Sequence, residues 1–226
     1  METPRSDINF DKLSIEEIAD AYSIIMDRIG DLRKDSRFRY ILVTKNRGLD
    51  AGGTINHNYS EIKAFPFIPP LINRKIENCN DYYRMNERCL MCDIIDQELF
   101  DRKRVVVEND MFIAFCPYAS RYPFEIMIIP RKHRNIFEGP NDEMVKELAK
   151  IAKTLFYKIR VALNAPAYNS VFHFQPVNSK EDEALETKAY HWHISIIPRM
   201  SNIPSEMIEA GIFVNPTLPE EAAEFL

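Results

Sequence analysis

Tyr190-His191-Trp192-His193-Ile194-Ser195-Ile196-Ile197-Pro198 decides how this chain is read. The run from His191 to Ile197 predicts a strand, closed by a proline. Side chains on a strand alternate between its two faces. His191, His193 and Ser195 therefore share one face, while Trp192, Ile194 and Ile196 share the other and can fill a core. Two histidines side by side suit metal ligation, nucleophilic attack on phosphorus, or one of each. The plainer alternative is a pair of hydrogen-bonded histidines on a half-exposed sheet.

A metal reading needs partners, and the chain offers Cys89-Leu90-Met91-Cys92. Two thiolates at this spacing can grip one zinc ion, and two further ligands complete a tetrahedron. The chain has five histidines, His57, His133, His173, His191 and His193. His133 lies just past a predicted strand ending at Pro130. A site made of Cys89, Cys92, His133 and His191 would be closed and hence structural. A redox pair and two unrelated thiols are the competing readings; no aromatic-Gly-Pro context surrounds the pair. Cys79 reads as a surface thiol and Cys116 as a buried small residue.

The third signal is the run from Lys45 to Glu61, KNRGLDAGGTINHNYSE. Gly48, Gly52 and Gly53 allow close backbone approach to a ligand, and Thr54 offers a hydroxyl to a phosphate. A plain turn would use the same glycines.

The remaining elements are arranged around these signals. A helix is predicted from Ser14 to Lys34, with Ser14 and Glu17 as a capping box. A strand is predicted at Arg39 to Thr44, and the polar stretch Asn73 to Arg88 reads as a connector. Arg104 to Glu108 and Met111 to Cys116 flank Asn109-Asp110 as a hairpin. Glu125 to Ile129 is a strand, Asn141 to Leu163 an amphipathic helix, and Tyr168 to Phe174 a strand. Asn178 to Thr187 reads as a solvated acidic loop, and Arg102-Lys103-Arg104 as a surface turn. The proline-containing tail reads as packing back over the domain. Each half repeats helix, strand, loop, and a strand carrying histidine.

Composition narrows the classes. The chain has 226 residues, 46% of them hydrophobic and 28% charged, which is globular composition. Its net charge of -5, from 29 basic and 34 acidic residues, argues against a nucleic-acid partner. No apolar run approaches the roughly 18 residues of a membrane helix, so no membrane partner is expected. A polar N-terminus and few cysteines suggest a cytoplasmic protein.

Taken together, the segments resemble the galactose-1-phosphate uridylyltransferase family of the histidine triad superfamily. They run in the family's order over nearly the whole chain: KNRGLDAGGTINH, AFPFIPP, CLMC, AFCPYASRYPFEIMIIPRKH, AYNSVFHF, HWHISIIPR and NPTLPEEAA. By motif the similarity is to the two-zinc type, which includes sugar-nucleotide phosphorylases. The resemblance implies an α+β fold: an antiparallel sheet with packed helices, a partial first repeat over residues 1–83 and a complete second repeat over residues 84–226. It implies one structural Zn2+ at Cys89, Cys92, His133 and His191. It places Asn46, Gly52, Thr54, His57 and Glu61 at nucleotide-binding positions, and Asn169 and His173 near the sheet edge.

The family transfers a nucleotide through a covalent nucleotidyl-histidine. Its nucleophile is the second histidine of an H-x-H-x-Q motif, which here reads His57-Asn58-Tyr59-Ser60-Glu61. Tyr59 takes the nucleophile's place. A phenol of pKa about 10 is mostly neutral at pH 7, and Glu61 would bring negative charge toward a phosphate. His193 falls where an active second repeat carries its nucleophile. The resemblance therefore implies a UDP- or ADP-hexose nucleotidyltransferase class with impaired ordinary activity, leaving Tyr59 and His193 as catalytic candidates. The alternative is a non-catalytic nucleotide-binding or protein-interaction subunit braced by zinc. The expected partners are a nucleotide sugar or nucleotide, and either a second copy or a chain completing the first repeat.

Overall fold

The computed structural model describes residues 1–6, 8–135, 137, 142–178, 185, 188–200 and 210–226. Seven strands form one sheet: β1 (Tyr40–Arg47), β2 (Glu61–Phe65), β3 (Val105–Glu108), β4 (Phe112–Phe115), β5 (Ile126–Pro130), β6 (Tyr168–His173) and β7 (His193–Pro198). Their spatial order is β2-β1-β6-β7-β5-β4-β3, and every neighbouring pair is antiparallel. The helices are α1 (Ile15–Arg33), α2 (Pro70–Asn86), α3 (Leu90–Asp101), α4 (Asp142–Ala162) and α5 (Pro219–Phe225). The fold is α+β, as expected.

Register fixes what each face carries. Val43, Phe172, Ile194, Ile128 and Ala114 stand opposite one another across five strands. All five lie in the main core, together with the buried stripes of α1 and α4. Trp192 is fully buried here, its ring 4.9 Å from Phe137 and 5.9 Å from Phe112. The next row, Thr44, Val171, Ser195, Met127 and Phe115, points to the opposite face. There α2 packs Ile72, Ile76 and Cys79 against Tyr40 and Tyr190, and Ile95 of α3 packs against Ile113, Phe115 and Ile129. The face of His193 and Ser195 thus lies between two separate small cores.

The expected second strand of the first half does not carry its histidine, for His57 precedes β2 (Glu61–Phe65). The unit α1-β1-β2 meets α4-β6-β7 with β1 against β6 at the centre, and α1 beside α4. Ser14 caps α1 through a full capping box, as its spacing with Glu17 predicts. The hairpin of β3 and β4 is turned by Asn109, whose Oδ1 accepts from the backbone N–H groups of Met111 and Phe112.

Several expectations change. Residues 73–88 are no connector, because most of them belong to α2, whose apolar positions Ile72, Ile76 and Cys79 make a stripe only one residue wide per turn. Cys79 lies in that stripe and is buried, not a surface thiol; Cys116 is buried as expected. Arg104 is no surface residue, for its guanidinium is enclosed between Glu98 and Glu220. The strand at the histidine pair begins at His193, leaving His191 in the segment that leads into it. His173 and Asn169 sit on β6, inside the sheet and not at its edge. The tail does pack back, burying Ala222 and Ala223 of α5. Most of the acidic stretch from Asn178 to Thr187 lies outside the described residues.

Candidate metal centre and glycine loop

Cys89 is the N-cap of α3 and Cys92 lies in its first turn, so the helix start turns both thiols the same way. His133 follows β5, and His191 precedes β7. One ligand atom from each of these four residues falls within 4.8 Å of all the others. Cys92 Sγ stands 3.5 Å from His133 Nδ1 and 3.6 Å from His191 Nδ1. In a tetrahedron with Zn–S about 2.3 Å and Zn–N about 2.0 Å, neighbouring sulfur and nitrogen lie about 3.5 Å apart. The cluster therefore has the size of a metal site. Its charge fits as well. Hydrogen bonds from Cys92 and then the two histidines hold Cys89 far below an ordinary thiol pKa, while the neighbouring thiolate pushes Cys92 up. Burial keeps His191 neutral, as a ligand must be.

His193 has a different setting. Its Nδ1 stands 3.1 Å from the His191 carbonyl oxygen. Since a carbonyl only accepts, Nδ1 carries the proton and Nε2 keeps the lone pair. The ring stacks on His173 at 4.6 Å, and burial followed by the charge of Lys75 lowers its pKa to about 3. His193 and Ser195 form the floor of a cavity of about 270 Å³ roofed by Lys75 of α2 and bordered by Arg121. Sequence reasoning missed Lys75 and Arg121, since neither lies near the histidines along the chain.

The glycine loop links β1 to the segment before β2. Gly48 takes φ 85° and would bring a Cβ to 2.7 Å from that of Ala167. A Cβ on Gly53 would meet the Gly48 backbone at 2.9 Å. Gly53→Ala is accordingly expected to cost about 1–3 kcal/mol, measurable by urea unfolding. Asn169 Nδ2 donates to both Asn46 Oδ1 and the Ala51 carbonyl, each at 2.8 Å, tying β6 to the loop. The Thr54 backbone N–H donates to the Tyr59 hydroxyl at 3.3 Å. His57 makes a local contact with the Asn58 carbonyl, and Glu61 pairs with Lys63. Gly52, Thr54 and Tyr59 thus lie in one loop, tied through Asn169 to Asn46 at the end of β1, while Glu61 on β2 has a cation of its own. A second missed feature is Glu2, which forms a buried ion pair with Lys45 beneath this loop.

A model of the galactose-1-phosphate uridyl transferase C-terminal domain matches residues 75–211, more than half of the chain. The chain belongs to that family. It is 29% identical over its whole length to an ADP-glucose phosphorylase of Arabidopsis thaliana, covering 62% of that protein. It is 28% identical over 95% of its length to a galactose-1-phosphate uridylyltransferase of Thermotoga maritima, covering 68% of it. Among solved structures, an ADP-glucose phosphorylase from Arabidopsis thaliana with bound ADP-glucose superposes with a TM-score of 0.90 at 29% identity, covering 99% of this chain and 70% of that one. A uridylyltransferase structure gives 0.90 at 26% identity, with 99% and 71% covered. The family member described here therefore spans roughly two thirds of these relatives.

Proposed function

We propose that the chain is a nucleotide-sugar-binding member of the nucleotidyltransferase class, specific for a UDP- or ADP-hexose, in which histidine-dependent transfer at the first repeat has lapsed. The observation that carries this reading is Tyr59. By motif resemblance it takes the family's nucleophile position, and its hydroxyl accepts from the Thr54 N–H within the glycine loop. Asn46, Gly52, Thr54, His57 and Glu61 are assigned as the nucleotide contacts, of which Thr54 touches Tyr59 directly. The named activities of the relatives, and the ADP-glucose held by one of them, support the substrate class.

Zinc is assigned to Cys89, Cys92, His133 and His191, where the sulfur–nitrogen spacing fits it. With four protein ligands the ion's contribution is to brace α3 against the sheet. Residues 84–226 are read as the complete repeat and residues 1–83 as a partial one. In support, β1 and β2 lie together outside β6, and β2 ends the sheet among the described residues. Its outer edge suits a second copy or a chain completing the first repeat. No helix among the described residues is long and apolar enough to cross a membrane. Four free cysteines suit a reducing, cytoplasmic setting.

A second reading is transfer through His193, favoured by its Nδ1 contact with the His191 carbonyl, which leaves Nε2 as the nucleophilic nitrogen. Intact-protein mass spectrometry after incubation with UDP-glucose and ADP-glucose separates the two. The first reading expects measurable binding and no nucleotidyl adduct. An adduct abolished by His193→Ala would replace it with the second, and one abolished by Tyr59→Phe would overturn both.

A further inference from the structure

A smaller cavity lies on the other face of the sheet, behind the glycine loop. Asn46 stands opposite Asn169 in register, and Arg47 opposite Tyr168. Neighbouring strand positions face opposite ways. Asn46 turns to the loop through Asn169, while Arg47 and Tyr168 lie on the face of Val43 and Phe172, toward α4. There they line a cavity of about 60 Å³ with Asn9, Asp11, Phe156 and Arg160. Arg160 Nε donates to both Asp11 carboxylate oxygens, at 3.0 and 2.9 Å, so Asp11 is already matched by one cation. Glu2 is likewise matched by Lys45. The Arg47 side chain has no ion pair and no hydrogen bond among the described residues, and its Nη1 is buried. Burial and then the charge of Glu2 raise the Tyr168 phenol above its ordinary pKa, so its hydroxyl keeps a proton to donate.

We propose that this cavity is a site for a small tetrahedral oxyanion, phosphate or sulfate, held by the Arg47 and Arg160 guanidiniums and the Tyr168 hydroxyl. A buried guanidinium N–H without a partner is costly, and a charge-assisted bond to an oxyanion removes that cost. The planar fork of arginine suits the paired oxygens of phosphate. With Asp11 set against Arg160, the charge of Arg47 is left over, and an anion completes it. Size limits the ligand. A water needs about 10–15 Å³ of such space, so the cavity of about 60 Å³ holds about four or five water-sized groups, the size of one tetrahedral oxyanion. A hexose or nucleoside would lie outside it. The ion would join the end of β1, immediately before Gly48, to α4 and to the turn at Phe10–Lys12. The proposal does not rest on the nucleotide reading of the glycine loop or on either histidine of the opposite face.

Proton–nitrogen correlation spectra of the zinc-loaded full chain, titrated with sodium phosphate against sodium chloride of equal ionic strength, test it. Phosphate and sulfate are expected to shift the amide signals of Arg47, Gly48 and Tyr168 along saturable curves, and chloride to leave them in place. Arg47→Gln is expected to weaken phosphate binding at least about tenfold. Asn9→Asp, at an exposed position on the rim, adds a carboxylate with almost no change in size. It is expected to weaken binding several-fold and keeps the test open if Arg47→Gln folds poorly. Lys75→Met, beside His193 on the opposite face, is expected to leave the shifts at these amides unchanged. Absence of saturable shifts overturns the proposal and leaves the cavity to water. Shifts that survive both Arg47→Gln and Asn9→Asp, or that Lys75→Met abolishes, place the anion elsewhere and overturn it too. Glucose 1-phosphate is expected to bind here more weakly than free phosphate; tighter binding of the ester would overturn the size limit and the assignment to a free ion.

Discussion

Cys89→Ser is expected to reduce bound zinc from about one ion per chain to none and to lower the melting temperature by roughly 10 °C. The four ligands come from three separate places: the start of α3, the segment after β5, and the approach to β7. A closed metal site across such segments acts as a cross-link whose binding free energy is folding free energy. Losing it is worth several kcal/mol, at about 2–4 °C per kcal/mol for a chain of this size. The cluster is also poorly suited to existing empty. It would hold two thiols, one a thiolate, against the exposed His133 and the buried His191. Elemental analysis and scanning calorimetry on the same preparations check both halves of the prediction. Cys79→Ala removes a buried thiol outside the cluster and should destabilise without loss of metal. A metal-free wild-type chain melting at the same temperature as the loaded one would sink the assignment.

What the residues revealed in advance follows from the range of the interactions involved. The alternation of Trp192, Ile194 and Ile196 against His193 and Ser195 is a local property of a strand, and it was legible. The Ser14 cap, the Asn109 turn and the stripe of α4 are local in the same sense. The two cysteines and two histidines that could hold a metal were singled out from residue type and from the family resemblance, and the fold brings them together. Helix α2 was missed because it buries a narrow stripe within a polar sequence, and α3 because its apolar residues fall on several faces while only Ile95 among them is fully buried, so tertiary packing and not pattern decides them. The partners of buried charges were missed for a related reason. Lys75 meets the His193 cavity only because α2 lies across β7's face, and Lys45 meets Glu2 across 43 positions of sequence. No spacing rule reaches such contacts.

Arg104 illustrates how much stability can rest on one of them. Its Nε donates to both Glu98 carboxylate oxygens, at 2.9 and 3.0 Å, and its Nη1 donates to Glu220 at 2.6 Å. The Glu98 side chain is 3% exposed and that of Arg104 10%. The pair fastens α3 to the strand entering β3 and, through Glu220, to α5. Arg104→Met would strand a buried carboxylate, which costs about 3–5 kcal/mol, or roughly 10 °C in melting temperature. The loss should depend on pH in a definite direction. Burial raises the Glu98 pKa in the folded chain, with Arg104 opposing it. The folded state therefore takes up its proton at a higher pH than the unfolded state, and stability falls as pH rises through that interval. Without Arg104 the interval widens upward. Urea unfolding from neutral pH down to about pH 5 should find the variant's deficit largest at neutrality and shrinking as Glu98 is protonated. Adding Glu98→Leu to Arg104→Met should recover most of the loss at neutral pH and abolish the pH dependence, because no charge then remains buried. A deficit constant with pH would mean that the lost packing of the arginine stem, and not the stranded carboxylate, is responsible.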